Sequence, residues 1–107
     1  MSNALPDSAK AALERLIAIA RGDTGQSRKA ANFLLAWWNA EACGGCDLTE
    51  VWGVDASIAV DMATVFALLP KCQHYPDALG YGKQFERIVG AWRPAAHQKD
   101  DVEEKTL

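Results

Sequence analysis

From Leu5 onward the apolar residues Ala9, Ala12, Leu13, Leu16, Ile17 and Ala20 recur at spacings of three and four, which gathers them into one helical stripe. Lys10, Glu14 and Arg15 fall away from its centre. The pattern predicts a first helix over residues 6–21, with Pro6 in the first turn and Asp7 or Ser8 placed to cap it. Gly22 offers a left-handed stop.

A second helix is expected from Asp23 or Thr24 to about Ala42, since Asp23 and Gln26 have capping-box spacing. Here the apolar arc is wide. At about 100° per residue, Ala30, Ala31, Phe33, Leu34, Leu35, Trp37 and Trp38 cover more than half the circumference. Arg28, Lys29, Asn32, Ala36 and Asn39 form the outward strip. So apolar a helix is expected at the centre of the fold, packed by several neighbours. Gly44 and Gly45 end it.

Asp47 and Glu50 repeat the capping-box spacing and predict a short helical turn through Trp52, broken by Gly53. Asp55 then caps a third helix with a buried stripe of Ile58, Ala59, Met62, Val65, Phe66 and Leu69, and Pro70 just past its end. Residues 71–77 read as loop. A last helix over residues 81–92 buries Phe85, Ile88 and Trp92, with Val89, and Pro94 closes the domain. No segment alternates long enough to form a strand. The expectation is an all-α bundle of four main helices plus a short helical turn, in one domain over residues 1–94. A polar tail over residues 95–107 has little to bury and should be disordered.

A chain of 107 residues fits one domain, and four tryptophans supply bulk for its core. The formal charge of −3 divides unevenly. Residues 1–94 carry 9 basic and 10 acidic side chains (−1), and residues 95–107 carry 2 and 4 (−2). The folded part thus lacks the basic field that drives binding to phosphate backbones, which argues against nucleic acid as a partner. No apolar run approaches the roughly 20 residues a bilayer needs, so no membrane span is expected. The opening MSNALPDSAK does not read as a signal peptide, and three cysteines cannot all pair internally. A reducing cytoplasm is the expected home.

Cys43-Gly-Gly-Cys46, with Cys72 and His74 further on, makes a formally complete zinc set. The second pair, however, is spaced as Cys-x-His, tighter than usual. A redox reading of the first pair meets another objection. Redox thiols gain acidity at helix N-termini, whereas Cys43 sits at a C-terminus and Asp47 adjoins Cys46. Ordinary residues at a tight turn explain the motif best.

Arg21, Thr24, Arg28 and Lys29 surround a helix N-terminus that could receive an anion, but the Walker order is absent and a well-capped connection accounts for them. Trp37 and Trp38 point about 100° apart, which suits core packing better than a flat stacking platform. Glu41 falls on the centre line of the apolar arc and is expected at the rim of the domain. Asp47, Glu50, Asp55 and Asp61 could hold a divalent metal, yet two read as caps and two as solvated faces. With only His74 and His97, and no G-x-S-x-G elbow, a hydrolytic triad finds no support. Neither an enzymatic activity nor a cofactor is expected.

The runs Ala20-Arg-Gly-Asp-Thr-Gly-Gln-Ser27, Ala31-Asn-Phe-Leu-Leu-Ala-Trp-Trp-Asn39 and Cys43-Gly-Gly45 carry a resemblance, as do Asp47-Leu-Thr-Glu-Val-Trp-Gly-Val-Asp55 and Tyr75-Pro-Asp-Ala-Leu-Gly-Tyr-Gly82. Together, over residues 13–94, they resemble a family of short helical proteobacterial proteins of unknown function, often encoded on integrative conjugative elements and plasmids. Cys46 stands outside that pattern, which lowers the weight of zinc and redox readings. The resemblance implies an accessory role on a mobile element. Joined to the residue-level reading, it makes a non-catalytic protein-interaction module the leading expectation, with the strip Arg28, Lys29, Asn32 and Asn39 and the turn from Gly22 to Gly25 as contact surface. A helix-turn-helix-like nucleic-acid binder and a small zinc-stabilised domain are the alternatives.

Overall fold

The computed structural model describes residues 5–96. Four α-helices and two short 3-10 helices follow one another: α1 (Asp7–Ala20), α2 (Gly25–Cys43), η1 (Leu48–Gly53), α3 (Ala56–Cys72), η2 (Pro76–Leu79) and α4 (Gly82–Trp92). No strand occurs among the described residues, so the class is all-α. Residues 94–96 are again helical and Ala96 packs on the core, so Pro94 opens a turn rather than closing the body. Of the tail expected to be disordered, residues 97–107 lie outside the described residues.

The stripe of α1 is buried as its spacing demands: Ala9, Ala12, Leu13, Leu16, Ile17 and Ala20 are all in the core, and Leu5 packs against it. This stripe lies against both α2 and α3, whereas α2 and α3 barely touch each other. Centrality is therefore shared between α1 and α2, and the wide apolar arc of α2 is only partly covered. Phe33, Trp37 and Trp38 remain half-buried on it. Glu14 and Arg15, which fall away from the centre of the α1 stripe, tie its neighbours in place. Arg15 grips Asp61 of α3 through two hydrogen bonds of 2.9 and 2.8 Å. Asp61 is consequently buried rather than on a solvated face. Glu14 accepts a 2.8 Å hydrogen bond from the hydroxyl of Tyr81, the residue just before α4.

Several boundaries depart from the sequence pattern for local reasons. The cap of α2 is Thr24, whose side chain accepts from the Ser27 amide at 3.0 Å, and Gln26 turns elsewhere. Gly22 does not adopt a left-handed conformation. It is glycine because a Cβ there would lie 2.7 Å from the buried Ser27 hydroxyl. Asp55 precedes α3 but makes no side-chain cap bond. Pro70 sits inside α3, which runs on to Cys72 before Gln73 closes it at φ 53°. In the last turn a proline removes one bond only, to the carbonyl of Phe66, and Phe66 faces solvent. The end of the segment 71–77 that reads as loop, Pro76 and Asp77, instead coils with Ala78 and Leu79 into η2 around the buried Pro76.

α4 seals the other side. Phe85, Ile88 and Val89 are buried, with Phe85 stacked on Trp38 (5.5 Å between ring centres, 27°) and edge-on to Trp37 (6.0 Å, 86°). Trp92 is half-buried and its indole N–H donates to the Ala20 carbonyl at 2.7 Å, satisfying an acceptor that the end of α1 leaves open.

Burial first, and then the adjoining Glu14 carboxylate, push the Tyr81 phenol up to about 12. The folded value lies above the roughly 10 of an unfolded tyrosine. Protonated Tyr81 thus supports the fold fully below pH 10 and loses that role as pH rises toward 12. Tyr81→Phe should cost about 1 kcal/mol at neutral pH. Thermal melts followed by circular dichroism should show the gap to wild type narrowing between pH 10 and 12.

Candidate functional site

The second half of α2 decides the local geometry. At Asn39 the backbone leaves helical values (φ −167°, ψ 85°), and the Asn39 side chain accepts from the Ala42 amide at 3.1 Å. One residue thereby ends one helical segment and caps the next turn. Arg93 reports how sharply the chain reverses. Its guanidinium donates to the Cys43 carbonyl at 2.8 Å and to the Asn32 carboxamide oxygen at 2.5 Å. On a straight helix those two residues would stand about 16 Å apart. The kink also explains Glu41, which a continuous helix would carry into the apolar arc. Turned out at the break, it is exposed.

After the reversal, the η1 segment runs back antiparallel to α2, and the strip expected to face solvent becomes the seam that holds it. Asn32 donates to Glu50 at 3.0 Å and Lys29 to the Gly53 carbonyl at 3.5 Å. Gln26 accepts from the Asp55 amide at 2.6 Å and donates to its carboxylate at 3.3 Å. Asn32 is therefore a bridge between η1 and Arg93, not a free contact residue. Arg21 and Thr24 on the α1–α2 connection and Arg28 in the first turn of α2 stay exposed, and no side-chain bond or ion pair holds Arg21 or Arg28 among the described residues.

Candidate metal ligands are dispersed. Cys43 is buried in the core, Cys46 and Cys72 are half-buried in different segments, and His74 is exposed. His74 contributes its backbone carbonyl, which accepts the Trp37 indole N–H at 3.1 Å. Among the described residues no group of three or more His, Cys, Asp or Glu side chains is placed to hold a metal. The four clustered acids each find a different partner: Asp47 bonds Thr49, Glu50 bonds Asn32, Asp55 bonds Gln26 and Asp61 bonds Arg15. Glu50 and Asp61 are thus engaged rather than solvated.

What the sequence reading missed is the gap between α2 and α3. An apolar cleft of about 270 Å³ opens there, walled by Phe33, by Leu48 and Val51 of η1, and by Met62 and Phe66 of α3. In a 3-10 helix residues three apart eclipse, so Leu48 and Val51 share the cleft wall. Phe66, expected in the buried stripe, is 59 % exposed, and Leu48 is 74 % exposed. A second hollow of about 240 Å³ continues the first, sharing Phe33, Cys46, Leu48 and Phe66 with it. It shares Ala36, Trp37 and Leu69 as a common wall with a wider groove of about 830 Å³ that runs past the kink to Glu41, Tyr75 and Asp77. The three adjoin along one side of the molecule.

The family model for a family of unknown function, DUF7673, matches residues 10–93. The chain belongs to DUF7673. The kink, the seam and every wall of the cleft fall inside the matched span. No curated protein and no solved structure matches this DUF7673 chain. Among the described residues, no helix is long and apolar enough to cross a membrane.

Two measurements check this geometry. Asn32→Ala strips partners from both Glu50 and Arg93, so urea unfolding should show a loss of about 2 kcal/mol, against less than about 0.5 kcal/mol for Arg28→Ala. Cys46 lies in the cleft wall, where burial first, then Glu50 and Asp47, raise its thiol above the ordinary value. Alkylation of Cys46 by iodoacetamide, followed by peptide mass spectrometry, should be slow at neutral pH and accelerate with rising pH. Glu50→Gln should speed it at fixed pH, because removing a negative neighbour favours the thiolate.

Proposed function

We propose that this DUF7673 chain is a non-catalytic interaction module whose partner is another protein, held in the apolar cleft between α2, η1 and α3. The observation that carries the reading is the exposure of Leu48 and Phe66 on opposite walls of a cleft that Phe33, Val51 and Met62 line. Large apolar side chains left beside a concave apolar wall favour a partner that buries them, and an amphipathic helix laid into a groove is one recurring partner of that kind. The contact surface thereby moves from the outer strip of α2, where Lys29 and Asn32 are engaged along the seam, to the neighbouring flank that carries Phe33. An accessory role on a mobile genetic element is the setting that the family resemblance favours, and the genes flanking this one test it.

The test is affinity capture from a host lysate, with every captured protein purified and titrated directly against the full chain. Leu48→Asp with Phe66→Asp should weaken that binding at least tenfold, since apolar anchors dominate such contacts. Both sites are exposed, so helicity should be unchanged. A partner that binds the double variant as tightly as wild type removes the cleft from the reading. Low-salt retardation of duplex DNA that fades steeply with added salt replaces a protein partner with nucleic acid.

A further inference from the structure

The groove beside the kink differs in chemistry from the cleft it adjoins. Three aromatic side chains, Trp37, Trp38 and Tyr75, line it together with two carboxylates, Glu41 and Asp77, and no lysine, arginine or histidine is in the lining. Glu41 holds no ion pair or side-chain hydrogen bond among the described residues. Asp77 spends one oxygen on the Ala78 amide at 3.0 Å and keeps the other. Tyr75 is 66 % exposed. Both indoles are fixed in advance, Trp37 by its bond to the His74 carbonyl and Trp38 by its stack on Phe85. Aromatic faces and unpaired carboxylates around one concavity attract the same thing, an organic cation, and rings already held in place lose little freedom on binding it.

We infer that this groove is the subsite for a basic side chain, arginine above all, carried by the partner segment that occupies the cleft. The inference rests on the proposed interaction role and adds polarity to it: apolar anchors lie toward η1 and a cation lies toward η2. Continuity argues for a peptide rather than a free small cation. The groove and the cleft are linked through the hollow walled by Ala36, Trp37 and Leu69, so one extended or helical segment can fill both. A planar guanidinium matches the site best, because it can stack on a ring while its edge donates to a carboxylate.

The probe is the pentapeptide acetyl-Gly-Arg-Gly-Arg-Gly-amide, with its citrulline twin as neutral control, titrated into the full chain. Binding is read from two-dimensional NMR of the indole and backbone N–H groups. The arginine peptide should shift the Trp37 and Trp38 indoles and the Glu41 and Asp77 amides saturably, and the citrulline peptide should not. Glu41→Gln with Asp77→Asn should weaken binding about fivefold, and Tyr75→Ala about threefold. Equal shifts from the citrulline peptide, or shifts confined to other surfaces, overturn the inference. Tetramethylammonium binding as tightly as the peptide overturns it too, in favour of a small quaternary cation. The two readings fail separately. A captured partner weakened by the Leu48 and Phe66 substitutions but indifferent to Glu41→Gln with Asp77→Asn leaves the interaction role standing and removes the cationic subsite.

Discussion

The apolar stripe of α1 is shared between two helices that hardly meet. Leu13 and Leu16 are fully buried on it, and each contributes about 2 kcal/mol by leaving water. A single polar bond of the kind that ties the flanks together contributes about 1 kcal/mol net. The arrangement of α2 and α3 is therefore set by where each meets α1, and the side-chain bonds at Arg15 and Glu14 fix angle and register rather than supply most of the stability. Because α2 and α3 both pack on α1 and hardly on each other, a wedge opens between them. The wedge is the cleft.

A second consequence concerns the segment that partly fills it. Neither α2 nor η1 could hold the wedge edge with apolar contacts alone, since η1 is six residues long and has no fully buried side chain. Polar bonds along the seam with α2 do that work, and Arg93 fastens the turn at both ends. With the backbone held this way, Leu48 and Phe66 are free to face each other across open space. Their exposure beside that wall is the ground on which the cleft is proposed as a contact surface.

The kink at Asn39 links the two ends of the trough. It frees Glu41 from the apolar arc, exposes the flank of Trp38 and brings the residues around η2 opposite the end of α2. One side-chain cap within a helix thus places a patch of aromatic rings and carboxylates next to a mostly apolar wall.

Periodicity alone determined the four helices, the burial of the α1 stripe, the Asp47 cap of η1 and the burial of Phe85, Ile88 and Val89, because those features depend on neighbours a few residues apart. It also placed Trp37 and Trp38 against the core, while the cost of burying a carboxylate, rather than periodicity, put Glu41 at the edge. Which polar residues face solvent was not legible. Asn32 and Asp61 look outward on their own helices, and their partners are 61 and 46 residues away. The reversal at Asn39 was equally hidden, since asparagine within an apolar helix gives no local sign that its side chain will accept from the backbone three residues on. Nor could the sequence reveal the cleft, for a wide apolar arc reads the same whether neighbours cover it or stand apart. Only the angle between α2 and α3 decides that, and the angle is set by packing on a third helix.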